Sequence, residues 1–277
     1  MFSRLFFISC FLLGALNVVL ATTLDRPPYD PSKNKRGLTF STPTTWIQGF
    51  CGGGTHVTWA YDWAQSKPDN FPGCLTYIPM LWDASPGNVN GWKERAQDSI
   101  NKGANHILGF NEPDLCFITG THTQACMTPQ DAANAWRQHI QPFGQQAWLV
   151  SPAITNADGS FKWLKDFLAA CHDCQVDTIA VHWYDTANNF GYLQSFLQSL
   201  KSIIGNKNIW LTEFNGRGSE DEQVRFLQQA LPWMDHTDYI ERYAWFFSGP
   251  DFTGGALTGW DGKPTNLGYN YGYAIPF

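Results

Sequence analysis

Hydrophobic positions along the chain gather into eight short runs, at 36–40, 56–61, 75–82, 106–112, 147–154, 177–184, 208–214 and 242–248. Within a run the apolar residues adjoin one another instead of alternating with polar ones, as in HILGF at 106–110 and TIAV at 178–181. Strands apolar on both faces belong in a parallel sheet covered by helices. The later intervening stretches carry the helical period. Thr128 as N-cap and Pro129 at the first helical position open a helix with Ala133, Trp136 and Ile140 on one face. A second starts at Ser160 and lines up Trp163, Leu164, Phe167 and Leu168. A third, at 192–204, repeats apolar residues at spacings of three and four, and Ser219 with Glu222 forms a capping box opening a fourth. The stretches between the early runs are poorly marked. The alternation predicts a single-domain (β/α)8 TIM barrel over 37–277. An open doubly wound sheet is the competing fold, but no glycine-rich phosphate fingerprint comes after the first strand. Cys51-Gly52-Gly53-Gly54 precedes a strand and reads as a loop.

The N-terminal pattern differs. Residues 1–21 hold one basic residue, Arg4, then an apolar run to Leu20 and small residues. This is the layout of a secretory signal peptide, cleaved near Val19-Leu20-Ala21. The run falls short of the roughly 20 apolar residues of a membrane span. Residues 22–36, proline-rich and without periodicity, read as a linker or pro-segment. Lys35-Arg36 is either a dibasic processing site or a basic pair beside a strand start. The expected product is secreted (extracellular or in the cell wall), monomeric and free of the membrane once the signal is cleaved.

Cysteine count supports that compartment. Cys10 leaves with the signal, and Cys51, Cys74, Cys116, Cys126, Cys171 and Cys174 remain, an even number that reads as disulfides. Proximity favours Cys51–Cys74, Cys116–Cys126 and Cys171–Cys174. The last pair also matches the C-x-x-C redox spacing. A formal charge of −6 with no lysine/arginine stripe argues against nucleic acid as a partner. Thirteen Trp and ten Tyr in a chain only 15% charged suit a carbohydrate cleft, where aromatic faces stack on sugars.

In a (β/α)8 barrel the active site lies at the C-terminal ends of the strands. The predicted ends are Trp82-Asp83, Asn111-Glu112, His182-Trp183-Tyr184, Glu213 and Trp245-Phe246-Phe247. Pro113, which cannot donate to a sheet ladder, stops the fourth strand just beyond Glu112. Glu112 and Glu213 are separated by about 100 residues, or three β/α repeats of roughly 33, placing them across the barrel mouth. Glycoside hydrolysis needs such a facing pair, one carboxylic acid protonating the departing oxygen while the other attacks or activates water. The histidines lack metal-ligand spacing such as H-E-x-x-H, no G-x-S-x-G elbow occurs, and the even set of six cysteines leaves no obvious thiol nucleophile. No cofactor and no catalytic metal are expected.

Gly109-Phe110-Asn111-Glu112-Pro113-Asp114, Val181-His182-Trp183-Tyr184, Leu211-Thr212-Glu213-Phe214 and Tyr243-Ala244-Trp245-Phe246 resemble the strand-end motifs of glycoside hydrolase family 128. These are secreted β-1,3-glucanases with a clan A barrel. The resemblance implies a retaining double displacement with Glu112 as acid/base and Glu213 as nucleophile. It also implies that Asn111 bonds the sugar 2-hydroxyl. His182 and Tyr184 share strand parity and face the cleft, with Trp183 toward the helices. Tyr184 is expected to bond the nucleophile. His182 either contacts sugar hydroxyls, orients Glu112 or is a core histidine. Trp245 is expected as the platform under the sugar at the cleavage point, and Trp59, Tyr61 and Trp82 as stacking or core residues. The reading is a secreted retaining endo-β-1,3-glucanase acting on β-1,3-glucan. The alternatives are a hydrolase for mannan or xylan, or an inactive glucan-binding protein on the same scaffold.

Overall fold

The computed structural model describes residues 26, 35–116 and 124–274. The expected signal peptide and most of the linker lie outside the described residues. In chain order the elements are β1 (Arg36–Thr39), α1 (Thr45–Gln48), β2 (Val57–Tyr61), β3 (Thr76–Tyr77), α2 (Pro86–Val89), α3 (Trp92–Asn101), β4 (His106–Leu108), α4 (Pro129–Ala135), β5 (Trp148–Val150), α5 (Ser160–Ala170), β6 (Thr178–Thr186), α6 (Phe190–Ile204), β7 (Asn208–Arg217), α7 (Glu220–His236), β8 (Ile240–Trp245) and α8 (Asn266–Tyr273). All eight expected strands are present and parallel, in the order β3-β2-β1-β8-β7-β6-β5-β4. Beyond β3, a parallel bridge of Met80 to Leu108 and the bonds Leu108 N to Pro79 O (2.9 Å) and Leu81 N to Leu108 O (3.1 Å) close the ring onto β4. The chain is a TIM-barrel-type single domain.

Strand alternation divides the core into two layers. Trp59, Tyr61, Ile78, Met80, Leu108, Val150, Ala153, Ala180, Trp210 and Ala244 fill the barrel. Their neighbours, among them Ile179, Val181, Trp183, Leu211, Phe214 and Trp245, pack outward against helix residues such as Phe167, Leu197 and Phe226. Gly37 must lack a side chain, because a Cβ there would lie 2.1 Å from the Trp59 ring. Prolines shorten two runs. Pro79 and Pro152 cannot donate to the ladder, so regular pairing is confined to Thr76–Tyr77 and Trp148–Val150.

The capping signals act as expected. Thr128 Oγ1 accepts from Asp131 N, and Ser219 and Glu222 bond reciprocally at the start of α7. The helix opened by Pro129 does not run unbroken. It passes into a π turn over Trp136–Ile140 and a 3-10 turn over Gln141–Phe143, where Pro142 removes a donor. The early units are the irregular ones. α1 is a single turn, and no helix separates β2 from β3 among the described residues. Three disulfides form with the expected partners, Cys51–Cys74, Cys116–Cys126 and Cys171–Cys174. No helix among the described residues is long and apolar enough to cross a membrane.

Lys35 and Arg36, read as either a dibasic processing site or a basic pair beside a strand start, stand at the start of β1 and are built into the barrel. The Lys35 ammonium donates to Met234 O and Thr237 O. The buried Arg36 guanidinium reaches Asp235 at 2.6 Å and the carbonyls of Tyr271 and Ala274, tying α8 to β1.

At the opposite end from the candidate site, β4 begins with a buried histidine. His106 Nε2 lies 3.4 Å from Glu241 Oε1, which also accepts from Trp210 Nε1 at 2.7 Å. Arg242 lies over the Trp210 ring at 4.6 Å. Burial pushes the His106 pKa down to about 4, against the pull of Glu241 and with Arg242 helping. Because the folded value lies below the unfolded one, the unfolded chain binds this proton more readily between pH about 6.5 and about 4. Stability is therefore full above that window and lost as pH falls through it, by about 3 kcal/mol in all. Urea unfolding at pH 7 and pH 4 should show this loss, and His106→Gln should reduce it. An equal pH dependence in the variant would clear His106 of any part in the loss.

Candidate active site

Short turns beyond the strand ends set the residues of the barrel mouth. After β4, Asn111 pairs with Ala153 as an isolated bridge, and its N–H donates to Trp82 O at 2.9 Å. Glu112 then takes φ +48°, a left-handed conformation that costs a non-glycine residue roughly 1 kcal/mol. Its surroundings hold it there. Glu112 N donates to Ala153 O at 2.9 Å. Two residues on, the Asp114 carboxylate accepts from Thr155 N, from Thr155 Oγ1 at 2.7 Å and from Ser160 Oγ at 2.5 Å. The Asp114 of the Asn-Glu-Pro-Asp motif is thus an anchor to the next β/α loop. On the return path, Ala125 N donates to Asn111 O and Met127 N to Pro113 O, beside the Cys116–Cys126 bridge.

Glu213 reaches the cleft through a bulge. In β7, Trp210 points into the barrel and Leu211 outward, so strict alternation would turn residue 213 outward. The pairing with β6 jumps instead from Val181–Leu211 to His182–Glu213, leaving Thr212 as the extra residue. The bulge resets the phase, as bulges beside active sites do. Glu213 Oε1 then accepts from Trp63 Nε1 at 2.8 Å and Tyr61 OH at 3.2 Å, and Oε2 accepts from Tyr184 OH. Burial, reinforced by the Glu213 charge, pushes both tyrosine pKa values well above 10, so both phenols stay protonated donors. Three donors thus converge on one carboxylate.

His182 stands between the two acids and is completely buried. Its Nδ1 is 2.8 Å from Glu112 Oε1 and 3.4 Å from Glu213 Oε2. Burial disfavours the charged ring, but the Glu213 charge and the Glu112 hydrogen bond outweigh it, so its pKa is raised. One donor atom each from Glu112, His182 and Glu213 lie within 4.8 Å of one another. That set has the composition of a metal site. Its lone pairs are already aimed at protons, however, from Tyr61, Trp63 and Tyr184 on Glu213 and between His182 and Glu112. A cation would have to displace them. Proton sharing fits this geometry better.

The pair opens into a cleft of about 610 Å³ lined by Trp63, Trp82, Asn111, Glu112, Gln124, Tyr184, Glu213 and Phe246. Trp63 and Phe246 also border a second cleft of about 300 Å³ with Ser41, Phe247, Asp251 and Phe252. Asn111 is buried, and its Oδ1 has no partner among the described residues. Six expected residues therefore meet: Asn111, Glu112, His182, Tyr184, Glu213 and Trp82, the last on the cleft wall. Tyr61 belongs to the site as a donor behind Glu213, with no face open for stacking on a sugar. Of the two readings of Trp59, stacking or core, the core one holds: it is buried inside the barrel, packed on Tyr61 and Trp210, and does not bind sugar. One expectation is corrected. Trp245 points to the helix layer, fully buried against Phe214 and bonded to Gly255 O, so it cannot be a sugar platform. Alternation gives that place to Phe246. The cleft also holds three residues not singled out by sequence: Trp63, Gln124 and Phe246. Trp63 and Phe246 each lie two residues beyond an inward residue, Tyr61 and Ala244, a parity signal legible in principle.

The glycosyl hydrolase catalytic core family model matches residues 37–271. Among solved structures, a curdlan-specific exo-β-1,3-glucanase from Blastomyces gilchristii, of glycoside hydrolase family 128 subgroup III and in complex with glucose, is similar with a TM-score of 0.76 and 32% identity. The similarity covers 89% of this chain and 100% of that one. The chain belongs to glycoside hydrolase family 128. A variant of a subgroup I family 128 endo-β-1,3-glucanase from Amycolatopsis mediterranei, in complex with laminarihexaose, has a TM-score of 0.71 at 27% identity, covering 86% of this chain and 98% of that one. Alkali-sensitive linkage protein 1 of Schizosaccharomyces pombe is 32% identical over 227 residues, 76% of this family 128 chain and 38% of that relative's length. The chain thus spans well under half of that protein. The family holds both endo- and exo-acting β-1,3-glucanases, and the cleft of this member is built around the two motif glutamates, Glu112 and Glu213.

Proposed function

We propose that this family 128 chain is a secreted retaining endo-β-1,3-glucanase that hydrolyses β-1,3-glucan by double displacement. The observation that carries the reading is the close approach of the two carboxylates, an oxygen of each within 4.8 Å, across an open cleft. Retaining enzymes hold their carboxyl groups about 5–5.5 Å apart and inverting ones about 6.5–9.5 Å, to admit water between them. The mechanism rests on the two environments. Glu213, its charge held by Tyr61, Trp63 and Tyr184, attacks the anomeric carbon while Glu112 gives its proton to the departing glycosidic oxygen. Glu112 then takes a proton from water, which attacks the same carbon and releases Glu213. His182, bonded to Glu112 and close to Glu213, fixes the orientation of the acid/base and offsets the charge of the pair. The unpartnered Asn111 Oδ1 accepts from a sugar hydroxyl. A protein that only binds glucan has no use for three donors converging on Glu213.

The Blastomyces gilchristii relative is exo-acting. Internal cleavage is favoured here because a second cleft shares the Trp63 and Phe246 walls of the main one and offers room for further sugar units beside the acids. The three disulfides fit an oxidising, extracellular site of action. Proton NMR of the first products from linear β-1,3-glucan should show the β-anomer before mutarotation, and chromatography should show mixed oligosaccharides early. The α-anomer first would overturn retention, glucose alone would overturn endo action, and turnover of only mannan or xylan would overturn the substrate.

A further inference from the structure

The strand that carries Tyr184 outruns its neighbour. On one side β6 stays paired with β7 beyond Tyr184, which lies opposite Asn215. On the other, the β5 side ends early, with Ile154 bridged to Val181 and its carbonyl accepting from His182 N at 2.7 Å. The β5 ladder does not extend to the backbone of residue 184. The side chain of Asn156 takes that place. Its Nδ2 donates to Tyr184 O at 3.1 Å and its Oδ1 accepts from Tyr184 N at 3.2 Å. A primary amide thus substitutes for the missing peptide and satisfies both backbone groups of one residue.

The residue it holds is a consequential one. The Tyr184 phenol donates to Glu213 Oε2, and its ring meets Phe246 edge-on at 5.6 Å. The preceding residue, Thr155, binds Asp114 in the loop of Glu112. Adjacent positions of the β5–α5 loop therefore tether the two acids' surroundings separately, Thr155 on the Glu112 side and Asn156 on the Glu213 side. Asn156 is not among the residues lining the catalytic cleft, and its side-chain hydrogen bonds go to the Tyr184 backbone, not to either acid.

We propose that Asn156 is a positioning residue for the reaction, holding the Tyr184 backbone so that its hydroxyl bonds Glu213 and supports the nucleophile's charge. The inference rests on the reading of Glu213 as the nucleophile. An error of even about 1 Å in such a donor is expensive, because the stabilisation depends on a preset geometry.

The test is a double-mutant cycle of Asn156→Ala and Tyr184→Phe, read as kcat and KM on a soluble β-1,3-gluco-oligosaccharide, with Glu213→Gln as reference. Asn156→Ala should lower kcat about tenfold with KM changed less than about twofold, the size of one lost hydrogen bond to a charged group. In the Tyr184→Phe background the same change should lower kcat less than about twofold further, because the hydroxyl it positions is gone. Independent, multiplying losses, or a loss confined to melting temperature, would overturn the proposal. If Asn156→Ala does not fold, Asn156→Asp serves. It keeps the acceptor and regains a donor only when protonated, so its kcat relative to the parent should rise as pH falls through the carboxylate range. A flat ratio would overturn the proposal equally. Should Glu213→Gln retain turnover, the nucleophile reading itself fails, whatever the cycle shows.

Discussion

Glu213→Gln is expected to lower kcat on linear β-1,3-glucan by about four orders of magnitude, the scale on which removal of a nucleophile is felt. The amide is nearly isosteric, so the cleft keeps its shape, but it cannot form the glycosyl ester. It also places an NH2 among groups that now point donors at Glu213. At least one of Tyr61, Trp63 and Tyr184 must lose its acceptor. A buried donor left unpaired costs about 1–3 kcal/mol, so the variant should melt earlier while remaining folded. Substrate should still bind, because the aromatic walls and Asn111 are untouched. Steady-state kinetics with an oligosaccharide, together with calorimetric binding, check both halves. Truncation to Glu213→Gly, with azide supplied, sharpens the assignment. The anion then enters from the vacated side and the product is the α-glycosyl azide. A Glu213→Gln enzyme with near-normal turnover would sink the assignment.

Glu112→Gln should cost about 10²–10⁴-fold on the polysaccharide, the range of general acid–base catalysis. Its signature is unevenness across substrates. An aryl β-glycoside with an acidic phenol leaves without a proton, so formation of the intermediate should be nearly spared. Breakdown still needs a base, and azide, which needs none, should restore turnover and yield the β-glycosyl azide. Equal losses on glucan and aryl substrate would take the acid role away from Glu112. His182 loses its Nδ1 partner only in part, since Glu213 Oε2 remains at 3.4 Å. The fold should survive.

Much of this architecture is legible along the chain because it rests on short-range rules. Continuous apolar runs mark buried parallel strands, and all eight appear where those runs fall. Caps are local too. Thr128 caps α4 through Asp131 N and the Ser219–Glu222 box begins α7, since the bonds involved span three residues. The same locality explains the failures. α3 carries Trp92, Ala96 and Ser99 on its buried face, too weak a stripe to announce a helix. α8 has glycines and tyrosines where strong helix formers would be expected, and is held by Arg36 from the other end of the chain.

The candidate site divides similarly. That Glu112 and Glu213 close apolar runs three repeats apart is a property of sequence spacing, and the motifs around them resemble those of the family. Their approach to within 4.8 Å is not. It depends on closure of the ring between β3 and β4, on the left-handed turn at Glu112 imposed by Ala153 and Asp114, and on the Thr212 bulge that turns Glu213 inward. The family resemblance suggests Trp245 for the cleft, but β8 turns Ala244 into the barrel and Trp245 toward the helices, so the folded strand presents Phe246. Trp63 comes to Glu213 across 150 residues. Periodicity reports which face a residue takes relative to its near neighbours. Bulges, ring closure and contacts across the barrel set which faces meet, because they are fixed by the packing of segments far apart in the chain.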